Sequence, residues 1–272
     1  MSDSKLTISE VNQIYNKLKS ISGFDFENYA FSFKMRKIIS LMKAENVFTV
    51  GDFIYRLQNS ENTVSEFVKS LFVPQSELFR DAELWNYLHE KIFPKLLLKE
   101  SVKIHIPYCT AGEELYSLMY FLGLYKSTHV SVLVSHPLPE NEGIIKNRIF
   151  LQKDLKACLK NVEMLDYIGN TEDVFTERTN YFKFNHFYRG NVDFKCEIPE
   201  NQQYISEFDM VLFRNRLIYY NENLQEDILR KVNVSLNKGG FLIVGEKEIS
   251  GKFSGKFKKM KSNLSVYKKK MF

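Results

Sequence analysis

Residues 107–117 read Pro107-Tyr108-Cys109-Thr110-Ala111-Gly112-Glu113-Glu114-Leu115-Tyr116-Ser117. A lone glycine followed by two carboxylates, just ahead of an apolar helix-spaced run, is ordinary capping chemistry at a helix start. It also follows the short β-rich run Val102-Lys103-Ile104-His105-Ile106, and loops after strands are where open α/β sheets bind ligands. The glycine spacing and lysine of a phosphate loop are absent. A second polar pair, Arg214-Asn215, directly follows the apolar run Phe208-Asp209-Met210-Val211-Leu212-Phe213, with Tyr219 beyond it. Ser76 and Arg80 stand in the segment Phe72-Val73-Pro74-Gln75-Ser76-Glu77-Leu78-Phe79-Arg80-Asp81. The histidines at 89, 105, 129, 136 and 186 lack metal-ligand spacing, so no metal centre is predicted.

The elements that position these residues fall into two textures. Residues 7–72 read as helices: Ile8, Val11, Ile14, Tyr15 and Leu18 recur at helical spacing, and Ser22-Gly23 punctuates. Thr49 is a plausible N-cap for a third helix, and Thr63 with Glu66 for a fourth. Lys34, Arg36 and Lys37 form a basic face. Pro74 discourages helix continuation, which predicts a helical domain over 1–75 and a second domain over 76–272. In the second, strands are expected at 102–106, 129–134, 192–196, 208–213 and 241–244. Helices are expected at 82–98, 113–125, 142–168 and 222–236, with a small irregular insertion over about 165–190, a turn at Asn237-Lys238-Gly239-Gly240 and a late antiparallel strand at 264–267. Strands alternating with helices imply an α/β fold with a parallel sheet.

The chain has 23 phenylalanines and 15 tyrosines against 12 glycines, enough apolar area for a real core but few places for close backbone approach. From Gly251 to Phe272 there are eight lysines and no acid, which exceeds the whole chain's formal charge of +5, so the remainder is net acidic. A solvated lysine face explains such a terminus, and no stacked aromatic–basic motif argues for nucleic acid. Three scattered cysteines, a polar N-terminus and no membrane-length apolar run predict a cytoplasmic protein with free thiols, with no membrane insertion and expected to be a monomer.

Four ordered segments resemble the CheR-type chemotaxis-receptor methyltransferases. The first loop is similar to A-G-C-S-T-G-E-E-P-Y-S, keeping Cys109, Gly112, Glu113, Glu114, Tyr116 and Ser117. Phe72 to Asp81 resembles a run ending T-x-F-F-R, with Ser76 for threonine and Phe79 and Arg80 kept. FDMVLFRNRLIYY, from Phe208 to Tyr220, resembles F-D-x-I-x-C-R-N-V-L-I-Y-F. Leu236 to Glu248 resembles L-x-P-G-G-x-L-x-x-G-H-S-E, keeping Gly239, Gly240, Gly245 and Glu248. The resemblance implies a Rossmann-like S-adenosylmethionine-dependent methyltransferase sheet preceded by a small helical domain. It also implies methyl transfer to glutamate side chains of chemoreceptors or a related acidic protein. Arg80 and Tyr219 are then the residues at the reacting centre, and Ser76, Gly112, Glu113, Arg214 and Asn215 hold the cofactor, with Glu113 on its amino group. The basic face around Lys34 would meet an acidic receptor helix.

The pattern departs from the family at cofactor positions. Tyr108 replaces a very small residue. The second strand ends Ser135-His136-Pro137, without the acid that accepts from ribose hydroxyls. Gly245-Glu246-Lys247-Glu248 lacks the histidine and serine, and Glu197-Ile198 replaces Asn-Leu. The alternative is therefore a catalytically inactive CheR-like module that keeps the fold as a binding or regulatory element.

Overall fold

The computed structural model describes residues 6–72, 77–168, 171–185, 188–202, 207–246, 248 and 255–271, in two compact units: residues 1–73 with 217–227, and residues 74–216 with 228–272. Ser76, His186, Lys247 and the expected boundary at 75 lie outside the described residues.

The first unit is built on α1 (Ile8–Ser22), α2 (Phe31–Ala44), α3 (Val50–Asn59) and α4 (Glu61–Leu71). Thr7 and Glu10 form a reciprocal capping box at the start of α1, and Gly23 ends it in the left-handed region at φ 74°. Thr49 caps α3, its Oγ1 accepting from Asp52 N at 3.1 Å. The cap of α4 is Ser60 rather than Thr63: Ser60 Oγ accepts from Thr63 N at 3.2 Å, which puts Thr63 inside the first turn and buries it. Ile14, Leu18, Phe33, Phe53 and Phe67 form the core. The expected basic face is smaller than the sequence suggests. Lys34 is buried, its Nζ donating to Glu27 O at 3.2 Å and lying 5.5 Å from the Tyr15 ring centre, which leaves Arg36 exposed and Lys37 against Phe33.

The second unit opens with α5 (Ala82–Tyr87), a π-helical turn (Leu88–Ile92) and α6 (Phe93–Leu96). It continues through β1 (Val102–Ile106), α7 (Glu113–Leu124), β2 (Val130–His136), α8 (Pro139–Lys146), β3 (Phe150–Leu151), α9 (Gln152–Glu163) and α10 (Thr171–Val174). β4 (Phe175–Glu177), β5 (Tyr181–Phe184), β6 (Asn191–Cys196), β7 (Phe208–Phe213), α11 (Glu222–Ser235), β8 (Leu236–Val244), β9 (Phe257–Lys259) and β10 (Val266–Lys269) follow. The main sheet has the order β6-β2-β1-β7-β8-β10-β9; β6 through β8 are parallel, and β10 and β9 are antiparallel. All six residues of β7 are buried, as a parallel strand covered on both faces requires.

Several local expectations give way to tertiary pairing. The helix expected over 142–168 is interrupted because Phe150, fully buried, pairs with Phe182 and draws residues 150–151 into a strand. The segment read as irregular forms β4 and β5, in a small sheet of order β3-β5-β4. Asn237 to Gly240 form a bulge inside β8: Leu236 pairs with Phe208 and Phe241 with Met210, so five steps along β8 span two along β7, with Gly239 in the left-handed region at φ 73°.

The fold also sets polarity along the sheet. At the amino edge of β7, Asp209 accepts from Lys99 Nζ at 2.5 Å, Lys103 N at 2.9 Å and Asn237 Nδ2 at 3.0 Å. This ties β7 to the segment before β1 and leaves the carboxyl edge to the candidate site. β2 lies on one side of β1 and β7 on the other, so the strand order reverses at β1/β7, where open α/β sheets form their crevice.

Candidate functional site

The loop from β1 to α7 borders this crevice. Its path is fixed by Cys109 N donating to Ser135 O at 2.9 Å, at the end of β2. Gly112 turns the chain into α7 with φ 98°, and a Cβ there would lie 3.1 Å from Ile145 Cγ2 and 3.2 Å from the Tyr116 ring, so only glycine fits. The loop encloses a void of about 10 Å³ lined by residues 108–114, room for a single water. That void is far too small for a nucleoside, and it is the rim of the loop that borders the crevice. Tyr108 is buried in that rim, with the Arg216 guanidinium 4.3 Å from its ring centre.

Neither acid of the loop serves merely as a cap. Glu113 Oε1 accepts from Arg148 Nη2 at 2.8 Å; the Glu113 side chain is 1% exposed and that of Arg148 21%. Glu114 Oε1 accepts from Arg214 Nη1 at 3.1 Å. Burial pushes the Glu114 carboxyl up to about 7, against the pull of Arg214.

Arg214 also shapes the segment that carries Arg80. Its Nη2 donates to Asp81 Oδ2 at 2.6 Å and to Arg80 O at 3.0 Å, and Trp85 Nε1 donates to the same carbonyl at 3.2 Å. Phe79 and Asp81, on either side of Arg80, both sit in the left-handed region with φ 51° and 60°. Non-glycine residues held there are strained, and such turns persist only when their surroundings over-determine them. Here Phe79 is fully buried with its N–H on Ser117 Oγ at 2.8 Å, and Asp81 is pinned by Arg214. The result is an exposed Arg80 side chain with no ion pair among the described residues.

The loops after β7 and β8 are joined by Glu248. Its Oε2 accepts from Asn215 N at 2.8 Å and Gly245 N at 2.6 Å. Asn215 takes the left-handed conformation at φ 57°, and a Cβ on Gly245 would come within 2.8 Å of Glu248 Oε2 and 2.9 Å of Asn215 Oδ1. This accounts for Gly245 and Glu248 in the last motif.

The loop after β6 crosses the same edge. Glu197 N donates to His136 O at 2.9 Å, and five residues on Gln202 Nε2 donates to Pro107 O at 2.7 Å, so the segment runs from β2 over to β1. Ser135 Oγ donates to Glu197 Oε1 at 3.0 Å and lies 3.1 Å from His105 Nε2. Burial holds the His105 ring neutral, with its pKa down to about 3. With the Ser135 proton committed to Glu197, His105 Nε2 is the donor, giving a one-way chain His105 to Ser135 to Glu197. Lys195 Nζ closes on Glu197 Oε2 at 2.7 Å.

Gly112, Glu113, Arg214 and Asn215 are thus brought to one edge, and Arg80 is attached to it through Arg214. Tyr219 belongs to the helical unit, where its ring lies tilted with its centre 4.6 Å from that of Phe33. Arg148, Ser135, Glu197 and Gln202 are additions that sequence reasoning did not assign. Two of them left a signal: Ser135, at the strand end that lacks the expected acid, and Glu197, as the residue replacing the asparagine of Asn-Leu. Among the described residues, the polar atoms at this edge that are buried without a partner include Thr110 Oγ1, Gln202 Oε1 and Asn215 Nδ2. Buried donors and acceptors are costly unless satisfied, so their placement at the switch point fits a ligand as polar as S-adenosylmethionine.

Comparison with known proteins points the same way. The family described as CheR methyltransferase, SAM binding domain, matches residues 147–266. A Pseudomonas putida protein, Cher3, is 25% identical over 91% of this chain and 91% of its own length. The chemotaxis protein methyltransferase of Listeria monocytogenes is 24% identical, covering 83% of this chain and 84% of its own. That of Borreliella burgdorferi is 23% identical, covering 88% and 89%.

Proposed function

We infer, for a chain that belongs to the CheR-type methyltransferase family, that it transfers a methyl group to glutamate side chains of a chemoreceptor or a related acidic protein. The family carries out S-adenosylmethionine-dependent methylation in chemotaxis, and S-adenosylmethionine is the cofactor. When bound, it supplies a methyl carbon already activated on a sulfonium. A glutamate oxygen attacking that carbon forms the ester bond as the carbon–sulfur bond breaks, and no proton has to move. The protein's share is positioning and exclusion of water.

Arg80 carries the reading: a strained turn, tied by Arg214 to the loop of Gly112 and Glu114, presents its guanidinium outward. A planar, permanently charged fork suits a substrate carboxylate. Glu113 is the acceptor for the cofactor's ammonium, with Arg148 as its partner until the ligand takes over. Asn215, held by Glu248, offers its side-chain amide along the same rim.

The test is transfer of labelled methyl groups from S-adenosylmethionine to a chemoreceptor signalling fragment, scored as alkali-labile ester. Arg80→Ala should lower kcat/KM about thirtyfold or more, the equivalent of ~2 kcal/mol of charged hydrogen bonding, while leaving unfolding unchanged. Unaltered transfer by that variant refutes the role of Arg80. Absence of both transfer and S-adenosylhomocysteine binding in the unmodified chain supports the non-catalytic alternative.

A further inference from the structure

In open α/β folds an acidic side chain near the end of the second strand accepts from a nucleoside's ribose hydroxyls. Here that position is Ser135-His136. Ser135 is fully buried and cannot reach a ligand itself, but it spends its proton on Glu197, whose side chain is 14% exposed. β6 pairs with β2 in register, Ser135 with Lys195 and His136 with Cys196, so Glu197 follows directly on the end of the neighbouring strand. The same Ser135 accepts through its carbonyl from Cys109 N, in the loop that borders the crevice.

We propose that Glu197 is the ribose-binding acid of this protein, supplied from the loop after β6 and aimed by Ser135, with His105 as a positioning residue behind Ser135. The inference rests on the reading that the crevice takes S-adenosylmethionine. Three observations carry it beyond the presence of a carboxylate. The His105–Ser135–Glu197 chain has only one proton order, because Ser135 has a single proton and gives it to Glu197. Glu197 Oε1 takes one bond from Ser135 and Oε2 one from Lys195, whereas a carboxylate has about four acceptor sites, so two remain for a pair of vicinal hydroxyls. The segment from Glu197 to Gln202 spans the edge from β2 to β1, ending with the buried and unpartnered Gln202 Oε1.

Calorimetric titration of the full chain with S-adenosylhomocysteine and with its 2′,3′-dideoxy analogue tests this without depending on turnover. Glu197→Gln keeps an oxygen for Ser135 but loses the charge and turns one acceptor into a donor. It should bind S-adenosylhomocysteine about tenfold or more weakly, the loss expected for a charged hydrogen bond, yet bind the dideoxy analogue as the unmodified chain does. Ser135→Ala should show a smaller loss with the same dependence on the hydroxyls, and thermal unfolding verifies that both variants fold. Equal affinity of Glu197→Gln and unmodified chain for S-adenosylhomocysteine overturns the proposal, as does a loss of the same size with both ligands. If the unmodified chain binds neither ligand, the cofactor reading falls and takes this inference with it.

Discussion

Glu114→Gln should make the protein more stable at neutral pH and a poorer methyltransferase. The Glu114 side chain is 3% exposed, and burial raises its carboxyl from the ordinary 4.5 to about 7 although Arg214 is 3.1 Å away. A raised folded-state pKa means that the folded protein holds this proton more tightly than the unfolded chain. The stability it contributes is complete below pH 4.5 and lost as pH rises to about 7. At about 1.4 kcal/mol per unit, that is roughly 3 kcal/mol. Glutamine is neutral at every pH and keeps an acceptor for Arg214, so the variant avoids most of this loss, less the cost of weakening the Arg214 contact. Removing one member of a buried ion pair is usually destabilising, but Arg214 keeps the Asp81 carboxylate and the Arg80 carbonyl, so its charge stays compensated. Urea unfolding of both proteins between pH 4.5 and 8 should show no difference at the acid end and a gain of about 1–2 kcal/mol at pH 8. Methyl transfer should fall, because Arg214 then holds the Arg80 carbonyl and Asp81 less firmly. A variant less stable than its parent at pH 8, or a difference that does not vary with pH, refutes the account of Glu114.

Two further substitutions separate fold from site. Asp209→Asn at the amino edge should cost about 2 kcal/mol of stability in urea unfolding, since three donors lose a charged acceptor, with S-adenosylhomocysteine affinity unchanged. Burial alone would raise the Asp209 carboxyl, but these donors hold it below its ordinary 3.8, so its contribution is lost only as pH falls through that lowered value. Gly112→Ala should destabilise by about 1–3 kcal/mol through its positive φ and the contact with Ile145, and should weaken ligand binding as the loop shifts.

The sheet and the residues at its switch point were legible because they obey local rules. Apolar runs of strand length separate helical stretches, and Gly112 and Asn215 lie in the loops that follow two of those runs. A positive φ and the crowding by Ile145 and Tyr116 explain why glycine stands at 112. What remained hidden depends on partners remote in sequence. Arg148 is 35 residues from Glu113, and Ser135 is 62 from Glu197. The left-handed Phe79 and Asp81 are invisible to propensity, since nothing in their side chains announces it; burial of Phe79 and the Arg214 contact enforce the conformation. The interrupted helix after residue 142 is the same effect at the level of an element, with Phe150 pairing in preference to continuing a helix.

Exposure decides which charges at this edge can be exchanged for a ligand. Glu113, Glu114 and Glu197 are each matched to an internal cation: Arg148, Arg214 and Lys195. The Arg214 side chain is 1% exposed and is bonded at once to Glu114, Asp81 and the Arg80 carbonyl, so that pair is a fixed part of the frame. Lys195 is 55% exposed and can swing into water at little cost, whereas Arg148 is 21% exposed and can leave the buried Glu113 only in exchange for another cation. An ammonium taking the place of Arg148 on Glu113 conserves the charge at that carboxylate, and hydroxyls arriving at Glu197 add donors without requiring Lys195 to leave. The two exchangeable acids lie on the β1 and β6 loops, with Ser135 of β2 bonded to both loops, while the fixed pair braces the Arg80 turn on the β7 side. On the proposed cofactor reading, the same ion pairs sort these acids into Glu114, which holds the Arg80 turn, and Glu113 and Glu197, which are left to hold the nucleoside.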